Sequence, residues 1–208
     1  MAPRQRPTSL KERQDSMNIL DDILSGLKTE ERVKDIRQGL FHTAVLTRSC
    51  GLAATLPRDS LRQPPPLVRE AGSLLKKSAL ELARMCYSER IPEAAIGMAA
   101  INSLLDVDDK RCQELNAREL LIEKGRGKAV AIVGHFPFVP QLRQEVRELW
   151  VIEKNPQEGD SPEGESEALV PLADVVAITG TAFTNHTIDG LLALCSPGAL
   201  VVVLGDTS

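Results

Sequence analysis

Apolar residues follow two different patterns in the two halves of this 208-residue chain. In the second half, four near-continuous apolar runs each end in glycine or a polar residue: KAVAIVG, RELWVIEKN, ADVVAITG and GALVVVLG. Strands that are buried on both faces have this pattern, and helical segments lie between most of the runs. The pattern predicts a Rossmann-like unit with a parallel sheet over residues 127–208.

In the first half, the apolar residues form shorter segments with helix-like or strand-like spacing. A helix with one apolar face is predicted from Ser16 to about Leu27, and three short strands should follow at roughly Val33 to Gln38, Phe41 to Thr47 and Cys50 to Leu56. The triple proline at residues 64–66 stops any regular element, and helices continue beyond it. Residues 16–126 are therefore predicted to form a small α+β domain, which makes the whole chain an α/β protein.

One predicted helix in the first half, IPEAAIGMAAINSLLD, has almost no side-chain bulk. Gly97 lies in its interior, where glycine costs about 1 kcal/mol relative to alanine. This suggests that something approaches the helix backbone closely. A neighbouring strand or helix is favoured over a ligand.

Composition narrows the function classes. The net charge of −4 argues against a broad nucleic-acid surface, and no apolar run reaches the length of a membrane span. The four cysteines form no CxxC pair, so reduced cytosolic thiols are expected. We therefore expect a cytoplasmic protein without nucleic-acid or membrane partners. Residues 1–15 should form a disordered basic tail, and the acidic residues 157–167 a solvated surface loop.

A binding site is expected where the predicted parallel strands end. Ligands of open parallel sheets bind beyond the carboxyl ends of the strands, near a switch in strand order. Four strand ends qualify: Gly134-His135-Phe136, Glu153-Lys154-Asn155, Gly180-Thr181 and Gly205-Asp206. The first of these lacks the three glycines of a dinucleotide fingerprint, yet Glu153 follows Gly134 at the spacing of about 20 residues expected for a ribose-binding acid.

The turn TGTAFTNHT carries many hydrogen-bonding side chains. Thr184 or Asn185 can cap the helix that continues through Leu191, which accounts for one or two of them. Thr181, Asn185 and Thr187 could instead contact an anionic or carbonyl-bearing ligand. Pure capping and ligand contact both stay open.

Five segments, in order, resemble the family named for heavy-metal chelation: CGLAATL, GMAAINSLL, VAIVGHFPF, VIEKNP and ADVVAITGTAFTNHTIDGLL. The resemblance implies a domain similar to the N-terminal domain of enolase, then a Rossmann-like domain, with a binding cleft between them. It assigns ten residues to that cleft: Gly51, Asn102, Gly134, Phe136, Glu153, Asn155, Pro156, Thr181, Asn185 and Thr187. The family continues past GDTS, so we expect a C-terminally truncated Rossmann-like domain, and it tends to have glycine where His186 stands.

The leading hypothesis is a protein that binds a divalent transition metal, or a small metal-chelating ligand, in the interdomain cleft. His135, His186 and Glu153 are the candidate metal ligands, although surface or packing roles are the alternative for both histidines. A second hypothesis is an enzyme that uses a nucleotide or S-adenosylmethionine, with Glu153 on the ribose. A third is a non-catalytic scaffold. Whether the protein is an enzyme, and whether it forms a homo-oligomer, stays open.

Overall fold

A computed structural model describes residues 18–28 and 30–208 of the chain. The predicted basic tail and the first two residues of the predicted first helix lie outside the described residues. Helix α1 covers Ile19–Gly26, and the side chain of Asn18 caps it by accepting a hydrogen bond from the backbone N–H of Asp21. This helix agrees with the described part of the prediction.

The three predicted strands of the first half form an antiparallel sheet in the order β1-β2-β3. They are β1 (Asp35–Gln38), β2 (His42–Leu46) and β3 (Cys50–Ala54). Thr43 and Val45 of β2 face the protein interior, whereas the residues between and beside them are more exposed. The prediction of this sheet is confirmed, with each strand slightly shorter than expected.

Helices and 3-10 turns follow the antiparallel sheet. The α-helices are α2 (Pro57–Ser60), α3 (Ala79–Ala83), α4 (Ile91–Leu104) and α5 (Ala117–Gly125). The 3-10 turns cover Ala71–Lys76, Arg84–Tyr87 and Asp109–Arg111. In the described chain, no helix is both long and apolar enough to cross a membrane.

Helix α4 is buried on almost every side, and glycine makes its close packing possible. A Cβ atom at Gly97 would lie 2.0 Å from the backbone nitrogen of Cys86, in the turn Arg84–Tyr87. A Cβ atom at Gly51 of β3 would lie 2.1 Å from the carbonyl oxygen of Ala99, in α4. The close approach expected at Gly97 is therefore confirmed, and it comes from a neighbouring segment of the chain.

The second half forms a parallel sheet of five strands in the order β6-β5-β4-β7-β8. The strands are β4 (Ala129–Val133), β5 (Glu148–Glu153), β6 (Ser161–Pro162), β7 (Val175–Thr179) and β8 (Leu200–Leu204). The helices between them are α6 (Val139–Glu145), α7 (Ser166–Leu169), α8 (Thr181–Thr184) and α9 (Ile188–Leu194). The predicted α/β class and its two sheets are confirmed.

The acidic stretch 157–167 is more ordered than the predicted solvated loop. It contains β6, which pairs in parallel with the end of β5, and the first residues of α7. The side chain of Asp160 is only 2% exposed and contacts His135. The prediction of a plain surface loop is wrong, because the hydrogen bonds of an edge strand and a buried carboxylate hold this stretch against the sheet.

The two halves share one hydrophobic core. Its largest cluster contains Val45 and Leu82 from the first half and Ile178 and Leu191 from the second half. Polar contacts also join the halves, since the backbone N–H of Ala54 donates to the hydroxyl of Thr207 over 2.9 Å. The division into domains at residues 126 and 127 therefore stays a prediction.

An ion pair between the buried carboxylate of Glu93 and the largely exposed guanidinium of Arg69 lies at the start of α4. Glu93 is 2% exposed, and its carboxylate accepts hydrogen bonds from the guanidinium and backbone N–H of Arg69 and from the hydroxyl of Ser88. Burial by itself raises the pKa of Glu93, but the hydrogen bonds from Arg69 and Ser88 outweigh it and hold the pKa at about 2. The charged form of Glu93 therefore stabilises the fold.

We expect Glu93→Gln to lower the free energy of unfolding at pH 7 by about 2–3 kcal/mol, because it removes charge-assisted hydrogen bonds that the buried carboxylate accepts from Arg69 and Ser88. The native pKa of about 2 is lower than the ordinary value of 4.5, so this stabilisation is present above pH 4.5 and is lost as the pH falls toward 2. Urea denaturation from pH 7 to pH 3 would show the difference from wild type shrinking. Glu89→Gln, an equal charge change at an exposed side chain, should have little effect; equal losses in both variants would contradict the role of Glu93.

Candidate functional site

The strand order of the parallel sheet creates a switch point at β4. The next strand along the chain, β5, pairs with one edge of β4, whereas β7 pairs with the other edge. The connections that leave β4 and β7 therefore run to opposite sides and leave a crevice between them. Ligands of open α/β sheets bind at such a crevice, outside the carboxyl ends of the strands.

A crevice of about 70 Å³ lies at this switch point, and we call it the switch-point crevice. Its polar wall consists of Glu153, Lys154, Glu163, Thr181, Asn185 and Thr187. Gly134 at the end of β4 and Thr179 at the end of β7 also line it. Three of the four predicted strand ends therefore meet at one place, whereas Gly205 and Asp206 do not line the crevice.

Half of the ten predicted site residues line the switch-point crevice: Gly134, Glu153, Thr181, Asn185 and Thr187. The other five lie elsewhere. Phe136 stacks on Phe138 with ring centroids 5.3 Å apart. Asn155 and Pro156 are exposed beyond β5.

Gly51 and Asn102 belong to the contact between β3 and α4. Gly51 allows the backbone of α4 to approach β3, and the side-chain amide of Asn102 donates to the carbonyl oxygen of Leu52 over 2.8 Å. Asn102 thus satisfies a backbone group on the outer edge of β3. The structure does not bring these two residues to the switch-point crevice. All residues that line the crevice belong to the second half of the chain.

Gly134 has a backbone conformation that favours glycine. Its φ is +103°, and a Cβ atom there would lie 3.0 Å from the Cβ of Thr179. A larger residue at position 134 would be strained and would crowd the end of β7. Glycine therefore keeps the two central strand ends close together and leaves the crevice open between them.

The charged side chains of the crevice already make a hydrogen bond and an ion pair within the protein. Oε1 of Glu153 accepts a hydrogen bond from the backbone N–H of Lys154 at 2.9 Å, which turns the carboxylate back toward its own chain. The ammonium of Lys154 lies 3.9 Å from Oε1 of Glu163, and both side chains are partly exposed. These groups present negative and positive charge to the same small space.

The polar turn after β7 is built differently from the predicted helix cap. The helix expected to start near Asn185 begins later, as α9 at Ile188, and His186 lies between the short helix α8 and α9 at φ +61°. Oδ1 of Asn185 accepts from the backbone N–H of Thr187 at 3.2 Å and from its hydroxyl at 2.7 Å. No side-chain hydrogen bond caps α9. The prediction that Thr184 or Asn185 caps this helix is wrong, because the left-handed residue at 186 turns the chain before α9 begins.

Thr184 is fully buried, and its hydroxyl has no hydrogen-bond partner in the described structure. It belongs to α8, which packs against α4. A buried hydroxyl without a partner is destabilising. Thr184 therefore has a packing position in the fold rather than the capping role expected of it.

The two histidines of the second half lie in different surroundings. Nδ1 of His135 is 3.0 Å from the carboxylate of Asp160, whereas Nε2 of His186 is 2.9 Å from the carbonyl oxygen of Ser88. Neither histidine lines the switch-point crevice with Glu153. The three candidate metal ligands are not gathered at one site.

The donor set does not fit a bare heavy-metal ion. Among residues 18–28 and 30–208, no three His, Cys, Asp or Glu side chains lie close enough to hold a metal. The crevice offers carboxylate, hydroxyl and amide oxygens, which suit hard cations rather than soft ones. All four cysteines are free thiols, and burial raises the pKa of the Cys86 thiol to about 12 and also raises the pKa of Cys195.

The crevice also contains three polar residues that the sequence analysis does not predict as site residues: Lys154, Glu163 and Thr179. Thr179 is the last residue of an apolar run, so the strand-end argument could have included it. Lys154 belongs to the predicted strand end Glu153-Lys154-Asn155, in which Glu153 is the predicted site residue. Glu163 carried no such signal, because only the pairing of β6 with β5 brings the acidic stretch to the crevice.

Two family models match the chain, and both carry the description "Putative heavy-metal chelation". One matches residues 20–105 and the other matches residues 116–208. An uncharacterized protein of Methanocaldococcus jannaschii is 28% identical over 140 residues, which cover 64% of this chain and 54% of that protein. The chain thus spans about half the length of the curated relative that it matches.

Two crystal structures of proteins with unknown function from this family are similar to the chain. That from Desulfitobacterium hafniense has 26% identity and a TM-score of 0.76, and the match covers 89% of this chain and 76% of the other. That from Pyrococcus horikoshii has 23% identity and a TM-score of 0.74, with 96% and 80% covered. At 23% identity, the similarity to the Pyrococcus horikoshii structure supports a shared fold and nothing beyond it.

We expect Thr184→Val to raise the free energy of unfolding by about 1–2 kcal/mol, because it replaces an unpaired buried hydroxyl with a methyl group of similar shape. Chemical denaturation measures the change. The matched control is Thr43→Val, which removes a buried hydroxyl that bonds Gln38 and Thr55 and should destabilise the protein. A loss of stability in both variants would show that Thr184 has a partner after all.

Proposed function

Because the chain belongs to the family described as "Putative heavy-metal chelation", we propose that its switch-point crevice binds a small metal-chelating molecule rather than a bare metal ion. The observation that carries this proposal is the convergence of three strand ends on one polar crevice without a thiolate or imidazole set. A heavy-metal ion then has to arrive with ligands of its own. The protein recognises the organic part of the complex.

The hydrogen-bonding groups of the crevice favour an oxygen-rich, anionic chelator. The ammonium of Lys154 and the amide NH₂ of Asn185 are donors, and hydroxyls such as that of Thr181 can donate or accept. The second carboxylate oxygen of Glu153 can accept from a hydroxyl of the ligand. Carboxylate and hydroxyl groups together, as in hydroxycarboxylic acids, match this mixture of donors and acceptors.

The volume of the crevice limits what it can enclose. Sites that bury a drug-sized ligand have volumes of roughly 300–1,000 Å³, and the switch-point crevice encloses about 70 Å³. It therefore accommodates a polar head group, while the rest of the ligand extends out of it.

One observation favours a second candidate, an enzyme that uses a nucleotide or S-adenosylmethionine. Glu153 ends the second strand of the parallel sheet and reaches the same crevice as Gly134, which is the arrangement of a ribose-binding acid. The loop after Gly134 opposes this reading, since it lacks the further glycines that let a pyrophosphate approach the backbone. The same titration can test both candidates.

Calorimetric titration of the protein should give saturable binding heat with zinc citrate and nickel citrate and none with the free metal ions. Thr181→Val should weaken the binding, because it removes a hydroxyl of the crevice wall. Thr55→Val, which removes a hydroxyl of the antiparallel-sheet region, is the matched control. Heat with free metal alone would contradict the proposal. Heat with S-adenosylmethionine or NAD, abolished by Glu153→Ala, would favour the second candidate.

A further inference from the structure

The outward face of the antiparallel sheet is apolar, although its side chains are accessible to solvent. In a sheet that packs on one side, the outward residues alternate with buried ones and are expected to be polar. The inward residues of β2 and β3 pack on α4. Five of the six outward residues of these strands are apolar or carry a thiol, and we call them the sheet patch: Ala44, Leu46, Cys50, Leu52 and Ala54. The exposed fractions of Leu46 and Leu52 are 40% and 41%.

The register of the strands makes the sheet patch contiguous. Leu46 lies opposite Cys50, and Ala44 lies opposite Leu52. Residues that lie opposite each other on one face of an antiparallel pair have Cβ atoms about 4.5–5.5 Å apart. Single exposed apolar residues are normal on a protein surface, whereas a contiguous apolar patch with a polar border marks an interaction site.

The edge of β3 beside the sheet patch is not free to pair with an added strand. The carbonyl oxygen of Leu52 accepts from the side-chain amide of Asn102 over 2.8 Å. The backbone N–H of Ala54 donates to the hydroxyl of Thr207 over 2.9 Å. An added strand would need these same backbone groups for its own hydrogen bonds. A partner therefore has to pack on the face of the sheet rather than extend it.

Charged residues of both signs border the sheet patch. Three pairs form this border: Asp35 with Arg37, His42 with Asp206, and Arg48 with Asp106. On β1, Asp35 lies opposite Leu46 and Arg37 lies opposite Ala44, so both charges lie on the face that carries the patch. Two identical copies can set positive groups against negative ones across a two-fold axis. A partner with one dominant charge would be repelled by part of this border.

We infer that the sheet patch is the interface of a homodimer, in which two copies of the chain pack their antiparallel sheets face to face. The strand spacing makes the patch about 10 Å wide and about 17 Å long. Even with its charged border, this face is smaller than the roughly 800 Å² per partner that a stable complex buries. The dimer is therefore transient, and we expect a dissociation constant of about 10–100 µM.

Sedimentation velocity of the full chain, over a protein concentration range of about 5–500 µM, tests the dimer. Leu52→Glu is the main variant, because it places a carboxylate from each copy within the apolar interface. Leu61→Glu is the matched control, since it makes the same change at a leucine that follows α2 and is 81% exposed. Both leucines are accessible to solvent, so both variants should fold, and thermal denaturation checks that they do.

A flexible bismaleimide then tests which face is shared. Cys50 belongs to the sheet patch, whereas Cys112 is an exposed thiol outside it. We expect the reagent to link two copies covalently in Cys112→Ser, which keeps the thiol of the patch. Cys50→Ser should give little covalent dimer.

We expect wild type and Leu61→Glu to change from monomer to dimer as the concentration rises, and Leu52→Glu to dimerise at least roughly tenfold more weakly, because like charges then oppose each other. A wild-type protein that stays monomeric over the whole range would overturn the inference. So would a dimer that Leu52→Glu leaves intact, or one that the reagent links through Cys112 and not through Cys50. None of these outcomes bears on ligand binding at the switch-point crevice, so the proposed function is tested separately.

Discussion

Close packing around α4 is the constraint on which the rest of the structure depends. Twelve of the fourteen residues of this helix are buried, and β2, β3, α3 and α8 all pack against it. Such packing is possible because Gly97 and Gly51 have no side chains where backbones meet. Because α8 rests on α4 and begins at Thr181, the position of this central helix also determines where one wall of the switch-point crevice lies.

Two kinds of structural element position the residues that line the crevice. The parallel sheet brings Gly134, Glu153 and Thr179 together at the carboxyl ends of β4, β5 and β7. The turn between α8 and α9 adds Asn185 and Thr187, which hydrogen bond to each other. Rigid strands thus position one part of the site and a strained turn positions the other. Among the described residues, the chain thus presents oxygen and nitrogen donors at the crevice without a cluster of metal-binding side chains.

Local patterns in the sequence predict much of this arrangement. Apolar runs ending in glycine or polar residues identify the four longer parallel strands, and the strand-end rule brings Gly134, Glu153 and Thr181 to one place. Glu163 could not be predicted, because β6 has only two residues and no apolar run. The sequence suggests Thr184 or Asn185 as a helix cap, whereas the burial of Thr184 against α4 depends on long-range packing that a local pattern does not show. Gly51 and Asn102 were assigned by resemblance, and in the structure their contacts join β3 to α4.

The central claim is that the ligand binds at the switch point rather than between the two halves of the chain. Titration of the isotopically labelled protein with zinc nitrilotriacetate, followed through backbone amide resonances, tests it most directly. The account predicts that the amides of Gly134, Thr181, Asn185 and Thr187 shift together with one dissociation constant, while those of Gly51 and Asn102 stay unchanged. Shifts confined to Gly51 and Asn102, or no shifts at all, would contradict it.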